Sequence, residues 1–284
     1  MPGDRAAHLV SAAELRDTPP ARLVLLDVRT AGERANYQRE HLPGARFADV
    51  DADLSGTPTA DSGARPLPDT DHLTESLRRW GIHPDSTVVV YDDARSVAAA
   101  RAWWVLRWAG LTDVRILDGG LRAWHRTAGT FRTAGTPGGS NTLGEPGTAV
   151  ARPGALPVIE TSGVAALPGR GTLFDARPLA HFHGAGEYPG HIPGAISAPV
   201  FDDFDGDGLL LDEATLRARY HRLGVDAGTP AASYCGSAMA AALQVFVLAT
   251  LGIEVALYPG SLSQWVADPA RPLTTEPSVA LTNS

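Results

Sequence analysis

Cys235 is the only cysteine in the 284-residue chain, and it is the first candidate for covalent chemistry. It stands in the segment Ala-Ala-Ser-Tyr-Cys-Gly-Ser-Ala-Met-Ala-Ala-Ala. A cysteine attacks as its thiolate, so a nucleophilic role needs surroundings that favour the anion. A free cysteine without such surroundings acts as a small buried apolar side chain. The elements on either side of Cys235 decide between these two interpretations.

The pattern around Cys235 predicts a strand, a tight loop and a helix. A short apolar run ending at Ser233 and Tyr234 is typical of a buried strand, and Ala240–Thr250 is typical of a helix. The loop between them begins with the thiol, so its backbone N–H groups and the helix N-terminus should point at the sulfur. This placement favours a nucleophile over a buried apolar residue.

Composition excludes several classes of function. The hydrophobic content of 44% and the charged content of 20% are ordinary for a soluble globular protein. One cysteine excludes an internal disulfide framework and a multi-cysteine metal site, and it fits a reducing cytoplasm. A net charge of −8 without a dense basic stretch argues against nucleic-acid binding. We find no signal-peptide core and no bilayer-length apolar run, so we expect a cytoplasmic protein without a membrane partner.

Internal repeats indicate two copies of one structural unit. Four pairs of similar segments occur in the same order in both halves: Leu23–Arg29 with Gly171–Arg177, Glu40–Ala45 with Gly190–Ala195, Val88–Asp92 with Ala231–Cys235, and Ile116–Trp124 with Leu257–Trp265. The chain length is comfortable for two domains of about 140 residues each.

Each copy alternates short apolar strands with helical stretches, such as Ala98–Trp108. This alternation predicts the α/β class, with a mainly parallel sheet covered by helices on both faces. The segment Gly129–Pro157 is rich in Gly, Thr and Pro and is typical of a linker. The predicted boundaries are 1–132 for the first domain, 133–157 for the linker and 158–284 for the second domain.

Together these motifs resemble the rhodanese family, specifically its two-domain sulfurtransferases of the thiosulfate and 3-mercaptopyruvate type. The resemblance extends from about Leu15 to Pro272. It rests on Asp-x-Arg after a strand, His-Ile-Pro-Gly-Ala, Tyr-Cys-Gly-Ser and Tyr-Pro-Gly-Ser-x-x-x-Trp, in that order. It implies two tandem rhodanese-like domains, with the catalytic cysteine in the second. Asp92 holds the matching place in the first domain, which is therefore expected to be catalytically silent.

The resemblance implies a sulfur-transfer reaction. Cys235 would take a sulfane sulfur from a small anionic donor, hold it as a persulfide, and pass it to cyanide, a thiol or a protein thiol. A ring of N–H donors would hold the thiolate and the persulfide alike, so no separate base is needed. We expect neither a metal nor an organic cofactor.

The active-site loop comprises Gly236, Ser237, Ala238, Met239 and Ala240, and it departs from the family's Cys-Gly-Ser-Gly-Val-Thr pattern. Its neutral start resembles the mercaptopyruvate-type loop, whereas thiosulfate-type loops place cations just after the cysteine. We therefore favour 3-mercaptopyruvate over thiosulfate as the donor. Ala238 replaces a glycine, and we expect this change to be harmless because alanine fits most helix-entry conformations.

The usual arginine that grips the donor's anionic group is missing. His181 stands at its place, and a neutral imidazole is a poor substitute for a bidentate guanidinium. Arg65 stands where the family often has a histidine facing the cleft. We therefore expect Arg65 and His181 to grip the donor from opposite walls, the alternative being that both are solvated surface residues. Asp51 matches a family aspartate assigned to proton handling near the sulfur, or else it forms a turn.

Four further residues are expected to be structural, because they recur in the half that lacks the cysteine: Arg29, Arg177, His41 and His191.

Two other chemistries fit poorly. A phosphatase built on this cysteine would need an arginine closing its loop, and no arginine follows Cys235 until Arg271. His181 and His183 have no obvious third metal ligand, so metal-dependent hydrolysis is not expected. The serious rival is a persulfide carrier or binding module with little small-donor turnover, because the donor-gripping arginine is missing.

Overall fold

The structure is a computed structural model that describes residues 5–18, 22–128, 145–225 and 228–276. It contains two parallel sheets. The strands of the first sheet are Leu9–Val10 (β1), Leu23–Arg29 (β2), Arg46–Asp49 (β3), Thr87–Tyr91 (β4) and Val114–Leu117 (β5). The strands of the second are Thr172–Asp175 (β6), Ile196–Ser197 (β7), Ala231–Tyr234 (β8) and Ala256–Leu257 (β9).

The two sheets have the same strand arrangement. The first has the order β1-β5-β4-β2-β3 and the second the order β7-β6-β8-β9, and the paired strands are parallel. Read from the opposite edge, β9-β8-β6-β7 repeats β5-β4-β2-β3. A parallel bridge from Val158 to Leu257 occupies the position that β1 has beside β5.

Helices connect and cover the strands, as parallel sheets require. Those of the first half are Ala12–Asp17 (α1), Arg34–Arg39 (α2), Thr70–Arg79 (α3), Val97–Trp108 (α4) and Gly120–Ala128 (α5). Those of the second half are Thr161–Ala166 (α6), Leu179–Phe182 (α7), Glu213–Arg222 (α8), Met239–Thr250 (α9) and Ser261–Trp265 (α10). The predicted α/β class, with helices on both faces of each parallel sheet, is confirmed.

Helices α4 and α9 join the two halves. They share one hydrophobic core, in which Trp103 and Phe246 meet edge to face with ring centroids 5.3 Å apart. Each sheet has a separate, smaller core on its other face. Both helices begin one residue before the predicted positions. The loop that begins at Asp92 leads into α4, and the loop that begins at Cys235 leads into α9. The packing of these two helices therefore brings both loops near the interface between the two halves.

Part of the predicted linker packs on the first half. The Gly147 amide donates to the Arg78 carbonyl at 2.9 Å, and the Ala149 amide donates to the Ile82 carbonyl at 3.0 Å. Ala149 and Ala151 are buried. Residues 129–144 lie outside the described residues, so the boundaries at 132, 133 and 157 stay predictions.

Candidate active site

Cys235 lies at the carboxyl end of β8, where the ends of parallel strands commonly form ligand sites. Cys235 is only 3% exposed to solvent, and it borders a cavity of about 250 Å³. The cavity lining includes Val97 from the first half and, from the second half, Arg177, His181, Tyr188, Ser237 and Met239. The thiol is therefore buried in the fold but reachable from a cavity large enough for a small donor.

The active-site loop is shorter than expected, because Met239 and Ala240 belong to the first turn of α9. Ala238, the residue before the helix, has φ 61° and lies in the left-handed region. The reason for expecting a harmless change, that alanine fits most helix-entry conformations, therefore does not hold at this residue, and the effect of the change on activity stays a prediction. The left-handed region costs an alanine about 1–2 kcal/mol, and complete burial of its methyl group offsets part of that cost.

Ser261, the first residue of α10, fastens the loop. Its hydroxyl oxygen accepts from the amides of Cys235 at 3.2 Å and Ala238 at 3.0 Å, and it donates to the Tyr258 carbonyl. These two loop amides therefore point at Ser261, which corrects the expectation that the loop amides all point at the sulfur. Sequence analysis missed Ser261, although the repeat offers a signal: Gly120 stands at the matching place in the silent half.

We expect Ser261→Ala to lower the free energy of unfolding by about 1–3 kcal/mol, because two buried amides would lose their acceptor. It should also lower sulfur transfer by loosening the loop. Chemical denaturation and a cyanide-acceptor assay measure the two effects. The exposed Ser162→Ala serves as a matched control. Wild-type stability in Ser261→Ala would show that the hydroxyl does not fasten the loop.

The first half shows what the equivalent loop does with an anion. Asp92 is 1% exposed, and its carboxylate accepts four backbone amides, those of Ala94, Ser96, Ala98 and Ala99, at 2.8–3.0 Å. Burial raises the pKa of this carboxyl, although the four amides oppose the rise. The strand–loop–helix unit is thus a backbone anion cradle, and in this half the protein's own side chain fills it.

We expect Asp92→Asn to lower the free energy of unfolding by about 2–3 kcal/mol, because a side-chain NH₂ cannot accept the amides that one oxygen accepts. Sulfur transfer should change by less than about twofold, since the loop around Cys235 is a separate one. Thermal melts and steady-state rates measure both quantities. A large loss of turnover in a folded variant would mean that the first half takes part in the chemistry.

The first turn of α9 offers amides beside Cys235. The Ala242 amide donates to the carbonyl of Ala238, the last residue of the loop, and this is the first hydrogen bond of the helix. The amides of Ala240 and Ala241 correspond to those of Ala98 and Ala99, which bind Asp92. The first amides of a helix have no intrahelical partner and favour an anion.

Arg65 and Asp51 reach the active-site loop from the first half. The Arg65 Nε donates to an Asp51 carboxylate oxygen at 2.7 Å, and its Nη1 donates to the Ser237 hydroxyl at 3.1 Å. The Asp51 amide also donates to the Asp49 carboxylate. Asp51 therefore takes part in a turn as well as in the ion pair with Arg65. Both predicted residues thus lie at one edge of the site. Asp51 contacts Arg65, and the pair meets the loop at Ser237.

His181 borders the same cavity and lies in the short helix α7. It is exposed to solvent, whereas the Arg65 side chain is 27% exposed. His181 lines the cavity directly, while Arg65 reaches it through Ser237. Of the two predicted donor-binding residues, His181 thus lines the cavity and Arg65 contacts the loop residue Ser237, and their grip on the donor stays a prediction.

Arg29 and Arg177 occupy equivalent places. Arg29 donates from Nε to Asp27 at 2.6 Å, and Arg177 donates from Nη2 to Asp175 at 2.6 Å. Arg29 also donates to the Glu40 carbonyl, just before His41. Arg177 donates to the Gly190 carbonyl, just before His191. Each arginine thus holds the segment that follows its strand.

His41 and His191 also occupy equivalent places. The His41 Nδ1 lies 2.7 Å from the Tyr37 carbonyl, and the ring stacks on Tyr37. The His191 Nδ1 lies 2.9 Å from the Phe182 carbonyl, and that ring stacks on Phe182. Burial lowers the pKa of His191. Both imidazoles contact the segment that precedes them.

Arg101 is a charged residue near the sulfur that sequence analysis missed. It lies on α4, is completely buried, and donates from Nη2 to the carbonyls of Leu54, Arg65 and Pro66, each at 3.2 Å. Its pKa falls to about 10, because burial and the charge of Arg65 lower it more than the sulfur of Cys235 and the carboxylate of Asp51 raise it. The signal was a charged residue in the middle of the apolar sequence of this helix.

In the part of the chain that the structure describes, no helix has the length and apolar character needed to cross a bilayer. Within the same residues, no three His, Cys, Asp or Glu side chains are grouped so that they could hold a metal ion.

Comparison with known proteins agrees with this geometry. The family model of the rhodanese-like domain matches residues 10–127 and 161–268. A putative thiosulfate sulfurtransferase of Mycobacterium tuberculosis is 39% identical over 279 residues, covering 95% of this chain and 97% of the relative. A probable 3-mercaptopyruvate sulfurtransferase of Pseudomonas aeruginosa is 39% identical over 289 residues, covering 95% and 99%. The crystal structure of SseA, a 3-mercaptopyruvate sulfurtransferase of Escherichia coli, has a TM-score of 0.75 at 30% identity, covering 89% of this chain and 98% of SseA.

Two matched regions, each with a parallel sheet of the same strand order, place this chain in the rhodanese family. Within that family, it is a sulfurtransferase with two rhodanese-like domains.

Proposed function

We propose that this protein moves a sulfane sulfur from a small anionic donor, through a persulfide on Cys235, to a thiophilic acceptor. The favoured donor is 3-mercaptopyruvate, with thiosulfate as the second candidate, and the acceptor is cyanide, a small thiol or a protein thiol. The observation that carries the proposal is the pair of equivalent loops. Asp92 supplies an anion to one cradle, and Cys235 begins the other beside an open cavity.

The positive end of a helix dipole and a buried cation lie on the side of the fold where Cys235 is found. The first turn of α9 begins four residues after Cys235, and its residues Met239 and Ala240 line the same cavity as Cys235. Arg101 lies close enough for its charge and the sulfur to interact, and it is shielded from solvent. Such surroundings activate a cysteine without a general base.

The proposed reaction has two sulfur-transfer steps. The Cys235 thiolate attacks the donor's sulfur, the donor's carbon–sulfur bond breaks, and the electron pair stays on carbon, giving the enolate of pyruvate, which takes up a proton. The acceptor then attacks the outer sulfur of the persulfide. The bond to Sγ breaks, and its electron pair returns to Cys235 as the thiolate.

The charges around the cavity favour a monoanionic donor. Gly236 and Ser237 bring no cation to the loop, and the charge of Arg65 is shared with Asp51. A single carboxylate can still bind at the Arg65 and Ser237 edge, where a charge-assisted contact is strongest. The names of the relatives, which include both donors, support a small donor of this kind.

Steady-state turnover separates the enzyme from the persulfide carrier. With cyanide as the acceptor, 3-mercaptopyruvate should give many turnovers per protein and a higher kcat/KM than thiosulfate. One turnover or less with both donors would support the carrier, because its sulfur would then come from a protein partner.

A further inference from the structure

The segment between Gly184 and Gly190 forms one wall of the cavity. Glu187 and Tyr188 lie near its centre and line the cavity beside Cys235. Hydrogen bonds hold the segment at both ends: the Gly184 amide donates to the His181 carbonyl at 3.1 Å, and Arg177 donates to the Gly190 carbonyl at 2.9 Å. Glu187 is therefore carried by an anchored wall of the site.

Glu187 brings an uncompensated negative charge to this wall. The nearby cation Arg177 is paired with buried Asp175 at 2.6 Å, and Arg65 at the opposite edge is paired with Asp51. Among the residues that the structure describes, Glu187 has no cationic side chain within ion-pair distance. The cavity thus has an anionic edge at Glu187, whereas the Arg65 guanidinium, balanced by Asp51, offers N–H donors at Ser237.

Tyr188 joins this carboxylate to the active-site loop. Its ring lies against Gly236, where an added β-carbon would be 3.6 Å from Cε2. Burial raises the pKa of the Tyr188 hydroxyl, and the nearby Glu187 carboxylate and Cys235 sulfur raise it further. A carboxylate next to an aromatic ring is a typical surrounding for an organic ammonium ion.

We propose that Glu187 and Tyr188 form a subsite that selects acceptor thiols bearing an ammonium group, such as a short aminothiol. This inference rests on the proposed function, since it concerns the second sulfur-transfer step. With its ammonium at Glu187, the acceptor's thiolate attacks the outer sulfur of the Cys235 persulfide. The bond between that sulfur and Sγ breaks, Sγ leaves as the thiolate, and the acceptor departs as its persulfide without net oxidation or reduction.

The negative charge of Glu187 orients the sulfur donor and the acceptor thiol differently. A donor carboxylate is repelled by Glu187 and attracted to the edge formed by Arg65 and Ser237. An acceptor ammonium is attracted to the Glu187 wall. The subsite therefore separates donor from acceptor by charge within a single cavity.

Persulfide discharge tests the subsite directly. The wild type, Glu187→Gln and the control Glu254→Gln are loaded with 3-mercaptopyruvate and freed of excess donor. Each is mixed with cysteamine, 2-mercaptoethanol or 3-mercaptopropionate at equal thiolate concentration, and quenched samples are followed by intact-mass spectrometry. Glu254 is exposed and lies past the far end of α9, a helix of 12 residues, which is about 18 Å long.

We expect Glu187→Gln to lower the ratio of the cysteamine rate to the 2-mercaptoethanol rate by about three- to tenfold. It should raise the corresponding ratio for 3-mercaptopropionate, and Glu254→Gln should leave both ratios at the wild-type values. Comparing each ratio between the variant and the wild type cancels the intrinsic reactivity of each thiol. Unchanged ratios in Glu187→Gln would overturn the subsite.

Formation of the Cys235 persulfide and transfer of its outer sulfur to a thiol are measured separately, so the two can fail independently. If neither 3-mercaptopyruvate nor thiosulfate forms the persulfide, the proposed donor chemistry is wrong. Inorganic polysulfide then loads Cys235 instead, and the same three thiols still test Glu187.

Discussion

Cys235→Ser is expected to abolish sulfur transfer to cyanide and to thiols. A serine hydroxyl is not ionised near neutral pH, and no other residue of the chain can form a persulfide because Cys235 is its only cysteine. The substitution keeps the size and shape of the side chain, so we expect the melting temperature to change little. Thiocyanate formation and a thermal melt measure both effects. Retained transfer by purified Cys235→Ser would rule out the mechanism.

Arg65→Ala is expected to raise the apparent KM for 3-mercaptopyruvate by roughly ten- to a hundredfold, with a smaller effect on kcat. A charge-assisted contact to a carboxylate contributes about 1.5–3 kcal/mol. Arg65 is placed for such a contact, because its guanidinium joins Asp51 to Ser237 at the edge of the cavity. Initial rates over a range of donor concentrations measure the change.

Two further variants make the Arg65 test specific. Arg170→Ala removes an exposed arginine just before the amino end of β6, whereas Cys235 lies at the carboxyl end of the parallel strand β8, and it should leave the KM unchanged. His181→Arg should lower the KM, because it places a guanidinium on the cavity wall. An unchanged KM in Arg65→Ala would mean that Arg65 only fastens Ser237, and the carrier role would become the better account.

The fold was accessible from the sequence, and Cys235 could be proposed as the nucleophile, because both depend on local patterns that occur twice. The segments Leu23–Arg29 and Gly171–Arg177 carry the same apolar run and the same Asp-x-Arg, and both lead into equivalent strands. Cys235 and Asp92 follow equivalent strands, so comparison of the two halves pointed to one reactive and one silent loop.

The rest of the site depends on contacts between distant parts of the chain. Arg65 and Ser237 are 172 residues apart, and the packing of α4 against α9, with hydrogen bonds from Ala64 to Ser263 and from Gln264 to Asp61, brings them together. The left-handed conformation of Ala238 and the role of Ser261 depend on the length of one loop. Arg101 was hidden within a helix whose other residues are mostly apolar, since a sequence pattern does not tell which neighbour a buried charge meets.

Intact-mass spectrometry of the full chain after incubation with 3-mercaptopyruvate, and separately with thiosulfate, tests the central claim most directly. We predict a mass gain of one sulfur atom on the wild type, larger with 3-mercaptopyruvate than with thiosulfate. The gain should be absent from Cys235→Ser and reversed by cyanide. A protein that gains no sulfur from either donor, or a gain that persists in Cys235→Ser, would contradict a Cys235 persulfide formed from a small donor.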